Sequence, residues 1–75
     1  MITSTEIQKV LKLKGYNMTK QVIKTWLIRN KVDAIQIDNS LVYSLNDCMP
    51  FIQKRVQVTE KEIQKLLKEI RTIIL

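Results

Sequence analysis

A chain of 75 residues has room for one hydrophobic core, because so short a chain buries only about 60% of the surface it exposes when unfolded. With 45% hydrophobic and 27% charged residues, one Gly and one Pro, its composition excludes a disordered or loop-rich protein and leans towards helices. The balance of 13 Lys and Arg against 7 Asp and Glu, a net charge of +6, favours polyanionic partners, while one Cys and no His exclude an internal disulfide and a nitrogen and sulfur ligand set for zinc.

The charge is unevenly placed. Between Glu6 and Asp33 there is no acid, whereas Lys9, Lys12, Lys14, Lys20, Lys24, Arg29 and Lys31 all fall there. The later acids mix with Lys54, Arg55, Lys61, Lys65, Lys68 and Arg71, so the positive field belongs to the N-terminal part. No apolar run has the form of a signal peptide or approaches the roughly 20 residues of a spanning helix, and a cytoplasmic protein is expected.

Thr3 and Glu6 have the spacing of a capping box, which opens a first helix with Ile7, Val10 and Leu11 in one stripe and Gly15 as its stop. Tyr16, Asn17 and Met18 connect it to a second helix, KQVIKTWLIRNK (residues 20–31), capped by Thr19. Its spacing turns Val22, Ile23, Trp26 and Leu27 inward. The runs AIQI and LVYSL flank Asp38-Asn39-Ser40 and predict a hairpin over residues 34–45. A short third helix follows, with Ser44 or Asn46 as cap, Met49, Phe51 and Ile52 inward, and Pro50 restricting where it begins. Thr59 and Glu62 repeat the capping-box spacing, and Ile63, Leu66, Leu67, Ile70, Ile73 and Ile74 run along one face of a fourth helix. Val56-Gln57-Val58 is the joint, giving a domain at residues 1–55 and a C-terminal helix at 56–75.

Within this order, TWLIRNKVDAIQIDNSLVYSLND resembles the second half of an excisionase or MerR-type DNA-binding domain. In that family a helix carrying an aromatic residue leads through a short turn into a hairpin with an aromatic near its end, and then into a helix. The matching features are Trp26, Val32-Asp33-Ala34, Tyr43 and Phe51-Ile52. The layout extends over about residues 3–55, and the close similarity over 20–45. The chain departs from the pattern in having Asn30 where the family usually has Gly at the end of the second helix, a slightly longer first turn, and a hairpin without the family's Arg and Gly. The resemblance implies a mainly α fold with a small β-hairpin, a winged helix-turn-helix followed by an amphipathic helix, that binds double-stranded DNA.

The residues themselves point the same way. Gln21, Lys24, Thr25 and Ile28 lie opposite the apolar face of the second helix, flanked by Lys20, Arg29 and Lys31. Such a face offers a major groove cations for phosphate or guanine, an amide for adenine and methyl groups for thymine. An ordinary solvated face is the bland alternative; the missing acids, the outward Ile28 and the hairpin weigh against it. Gln36, Asn39 and Ser40 can make a modest wing contact, opposed by Asp38. Lys9, Lys12, Lys14, Tyr16, Lys54 and Arg55 are candidate phosphate contacts. Trp26 and Tyr43 are expected to be structural.

For the fourth helix the expected role of Ile63, Leu66, Leu67, Ile70, Ile73 and Ile74 is self-association as a homodimer, with packing on the same domain as the alternative. MerR-type proteins often dimerise through a helix after the winged part, so the resemblance implies the same. Glu60, Glu62 and Glu69 oppose a membrane role. No His, paired carboxylates or glycine-rich phosphate loop is present, and Cys48 lacks an activating partner, so neither catalysis nor a cofactor is expected. A protein-interaction adaptor and a single-strand binder are the rivals, the latter with only one Trp, two Tyr and one Phe to stack on bases.

Overall fold

The computed structural model describes residues 1–74, and of Ile73 and Ile74 only their place in the last helix. Its order is β1 (Ile2–Thr3), α1 (Ser4–Leu13), α2 (Lys20–Arg29), β2 (Ala34–Ile37), β3 (Ser40–Tyr43), α3 (Leu45–Gln53) and α4 (Glu60–Ile74). The fold is mainly helical, with one small antiparallel sheet in the order β1-β3-β2. Strand β1 is absent from the sequence reading. Two residues show no period of their own, and they become a strand only by pairing Ile2 with Tyr43 and Thr3 with Val42.

Thr3 ends β1 in extended backbone and also caps α1. Its hydroxyl accepts from the Glu6 N–H at 3.1 Å while Glu6 Oε1 accepts the Thr3 N–H at 3.0 Å, closing the capping box in both directions. At the other end Gly15, with φ 85°, lets the Tyr16 N–H reach the Leu11 carbonyl and the Gly15 N–H that of Lys12. The same closure ends α2, where Val32 donates to Leu27 and Lys31 to Ile28. Here the left-handed residue is Lys31, φ 52°, and not Asn30, the residue type that tolerates this conformation better. Asn30 is the cap itself, and its side-chain amide donates to the Trp26 carbonyl at 2.9 Å.

The hairpin turns on Asp38 and Asn39 alone, since Ile37 pairs with Ser40. Asp38 takes the left-handed φ of 55°, which Asp tolerates better than most residues. In α3 the cap is Ser44, without a side-chain bond, and Pro50 lies inside the helix. Tyr43, Leu45, Cys48, Met49, Phe51 and Ile52 carry the core from sheet to α3. The rings of Phe51 and Trp26 lie 4.7 Å apart, a tilted pair contributing about 1 kcal/mol beyond its buried area.

One expectation about burial is corrected. Val22, assigned inward, is 49% exposed. At about 100° per residue the buried arc of α2 centres on Ile23 and Leu27, which puts Trp26 at its rim and Val22 beyond it. Helix α4 packs on the same domain, the alternative to self-association: its Ile63, Leu67 and Ile70, with Val58 before it, are buried in the same core as Ile7, Val10 and Leu11 of α1, and Leu66 packs against it. The joint at residues 56–58 thus leads into a helix that shares the core of the preceding part. A dimer seam of Ile63, Leu67 and Ile70 would have to open this core; Ile73 and Ile74 lie outside the described side chains.

Two ion pairs hold α4 to α1. Arg71 Nε lies 2.7 Å from Glu6 Oε2 and Lys14 Nζ 2.8 Å from Glu62 Oε2. Thr59 accepts the Glu62 N–H at 3.1 Å, and the Glu62 carboxylate turns to Lys14. Half of the second expected capping box is thus given to a tertiary contact.

Candidate nucleic-acid interface

The exposed arc of α2 is set by the packing of Ile23 and Leu27 behind it. Lys20, Gln21, Lys24, Ile28 and Arg29 are exposed, as is Lys31 just past the helix, and Thr25 is half-buried. The Thr25 hydroxyl donates to the Gln21 carbonyl at 2.9 Å, so towards a ligand it is left as an acceptor. Ile28 is 76% exposed, more than any other large hydrophobic side chain among the described residues. It is not packed under the hairpin. No acid lies on this arc, and among the described residues none of its cations has an acidic partner.

Where α2 begins, its flank faces the start of α1 and the hairpin turn across a cleft of about 410 Å³. Lys20 and Lys24 form one wall, Asn39, Ser40 and Leu41 another, and Thr3, Ser4 and Thr5 line it from the N-terminus of α1. Lys20, Lys24 and Asn39 are thus brought together as one side of the expected interface. Ser4 and Thr5 are missing from the sequence reading, although the capping box that marks this helix start was the signal that could have found them. Gln36 is exposed on β2, on the same sheet face as its pair Leu41, and does not line the cleft.

The outlying cations divide. Lys14 is engaged by Glu62, and the Arg55 guanidinium lies 3.8 Å over the Phe51 ring while donating to the Phe51 carbonyl at 3.0 Å. Both take part in intramolecular contacts. Lys9 and Lys12 border a groove between α1 and α4 with Leu13 and Ile70, and Lys12 also reaches the hollow beside Asn17 and Met18. Lys54 and Tyr16 are exposed. Beyond the cations, Ile35 and Ile37 are half-exposed on the outer face of the edge strand β2.

Glu6 is 8% exposed and anchors the α1 end of the cleft without lining it. Burial raises its pKa, but the Arg71 hydrogen bond, the Thr3 N–H and the charge of Arg71 outweigh that, holding the carboxyl below its ordinary value. It is therefore an ion-paired carboxylate. Burial, reinforced by Asp47, pushes the Cys48 thiol up to about 11, which keeps it protonated and unreactive at neutral pH.

Among the described residues no three His, Cys, Asp or Glu side chains are grouped to hold a metal ion, and no helix is long and apolar enough to cross a membrane. No family model, curated protein or solved structure matches the chain.

Proposed function

We propose that the protein binds double-stranded DNA as a small winged helix-turn-helix, with the exposed arc of α2 in the major groove and the β2–β3 hairpin as a modest wing. The observation that carries this reading is the exposure of Ile28 in the middle of an acid-free basic face. Exposed among Lys24, Arg29 and Lys31, the Ile28 side chain suits contact with a thymine methyl beside cations aimed at phosphates and guanine. The fold supports the reading through rigidity: Ile23 and Leu27 lock α2 to the core, and the hairpin begins a few residues past its end. Transcriptional control, excisionase-like architecture in recombination and an accessory part in replication or plasmid partition all fit this chemistry.

Binding of the protein to duplex and single-stranded oligonucleotides over a salt series tests it. The expected result is preference for duplex and a linear fall of log affinity with log salt, with a slope of about −0.9 for each phosphate neutralised. Lys24→Glu with Arg29→Glu should abolish most of the affinity while the fold is kept. Ile28→Ser should leave stability within about 0.5 kcal/mol and weaken a selected duplex about tenfold with little effect on random sequence. Unchanged affinity and salt slope in the folded double variant would falsify the assignment of α2. The exposed outer face of β2 and Ile28 itself favour one second reading, a protein-interaction adaptor, for which duplex affinity would be absent.

A further inference from the structure

The cleft between α2, the first turn of α1 and the hairpin turn combines three kinds of anion-binding group. Lys20 and Lys24 bring positive charge that no acid of the described chain neutralises. The N-terminus of the ten-residue α1 adds its positive end and amides that no helical carbonyl can reach. Asn39 contributes an amide from the hairpin turn.

Ser4 is the separate observation. It is only 8% exposed, yet among the described residues its hydroxyl enters no hydrogen bond, whereas the neighbouring Thr3 hydroxyl accepts the Glu6 N–H. Among the described residues no side-chain oxygen or nitrogen is sealed away without a partner, so the Ser4 oxygen keeps some accessibility, and Ser4 lines the cleft. A hydroxyl with no protein partner and little surface left for water is free to donate to an acceptor that enters beside it. The nearby acids do not spoil the site. Glu6 is tied to Arg71, and Asp38, next to Asn39, does not line the cleft.

We propose that this cleft seats one phosphodiester of the DNA backbone. The proposal rests on the DNA reading of α2 and adds to it a fixed point: the Ser4 and Thr5 hydroxyls donate to the phosphate oxygens, Lys20 and Lys24 balance the charge, and Asn39 closes the seat from the hairpin. A seated phosphate sets the register of α2 in the groove, as backbone contacts do, while Ile28 and Arg29 further along the helix read bases.

The test pairs Ser4→Ala with Thr5→Ala in the full chain, on a duplex selected from a random pool and on versions carrying a neutral methylphosphonate at one linkage at a time. Neither hydroxyl holds the fold by a hydrogen bond, so the variant is expected to melt as the parent does. The expected result is about tenfold weaker binding of the natural duplex, and one linkage whose neutralisation weakens the parent by a similar factor but leaves the variant unaffected. Equal affinity of parent and variant at every linkage overturns the seat and leaves the α2 assignment standing. Absence of duplex binding by the parent overturns both. Inorganic phosphate that shifts the Ser4 and Thr5 amide resonances, with no linkage coupled to those residues, marks a free-anion site and also overturns the proposal.

Discussion

Lys31 holds a φ of 52°, a left-handed conformation that carries a penalty of about 1–2 kcal/mol for a residue with a Cβ. Glycine would relieve it, at the expense of a more flexible unfolded chain, so Lys31→Gly should raise stability by about 1 kcal/mol in urea denaturation. The same change removes a cation next to the face of α2 proposed to read DNA. Duplex affinity should fall, and the salt slope should lose about one phosphate's worth, or 0.9. Opposite signs in the two measurements would identify a residue whose charge is retained at a strained position; a loss in both would mean that Lys31 makes stabilising contacts beyond its backbone. The position is a case of what sequence can convey. That α2 ends near Asn30 is readable from local chemistry, but which of two adjacent polar residues takes the left-handed place depends on where Val32 closes onto Leu27, and that is fixed by packing.

Among the helices, α1 is legible in full, whereas α4 is legible as a helix but not in what covers it, for the same physical reason. The stripe of Ile7, Val10 and Leu11, the Thr3 and Glu6 box and Gly15 are decided within one helix. The stripe of α4 announces only that it must be covered, and both a second copy and α1 can cover it. The ion pairs of Arg71 with Glu6 and Lys14 with Glu62 make α1 the partner, a match between residues too distant in sequence to read as a pattern. Likewise α2 is legible as a basic amphipathic helix, but the cleft at its head requires the start of α1 and the hairpin turn to meet. The Glu6 pair has a pH signature. Its carboxyl is depressed in the folded chain, so the stabilisation it gives is complete above the unfolded pKa and is lost as pH falls through the folded one. Melting temperature should therefore decline below about pH 5, and Glu6→Gln, less stable at neutral pH, should converge with the parent in acid. Parallel curves across that range would exclude Glu6 as the group responsible.

For the whole molecule, one core shared by every helix and by the sheet makes α4 indispensable. Removing residues 59–75 uncovers Ile7, Val10 and Leu11 and takes Ile63, Leu67 and Ile70 from the centre, where single replacements by alanine cost about 2–5 kcal/mol each. The shortened chain should lack a cooperative thermal transition by circular dichroism; a sharp transition would mean that the first 58 residues hold a core of their own. Cys48 lets such opening be timed without adding a label. It is the only thiol of the chain, is fully buried in α3, and has a pKa near 11 when folded against about 8.5 when free. An alkylating reagent at neutral pH can reach it only in molecules that have come apart. At high reagent concentration the rate of modification should level off at the opening rate, and bound DNA should slow modification in proportion to occupancy. The natural chain thus carries its own clock for how often it unfolds and how far a bound partner delays it.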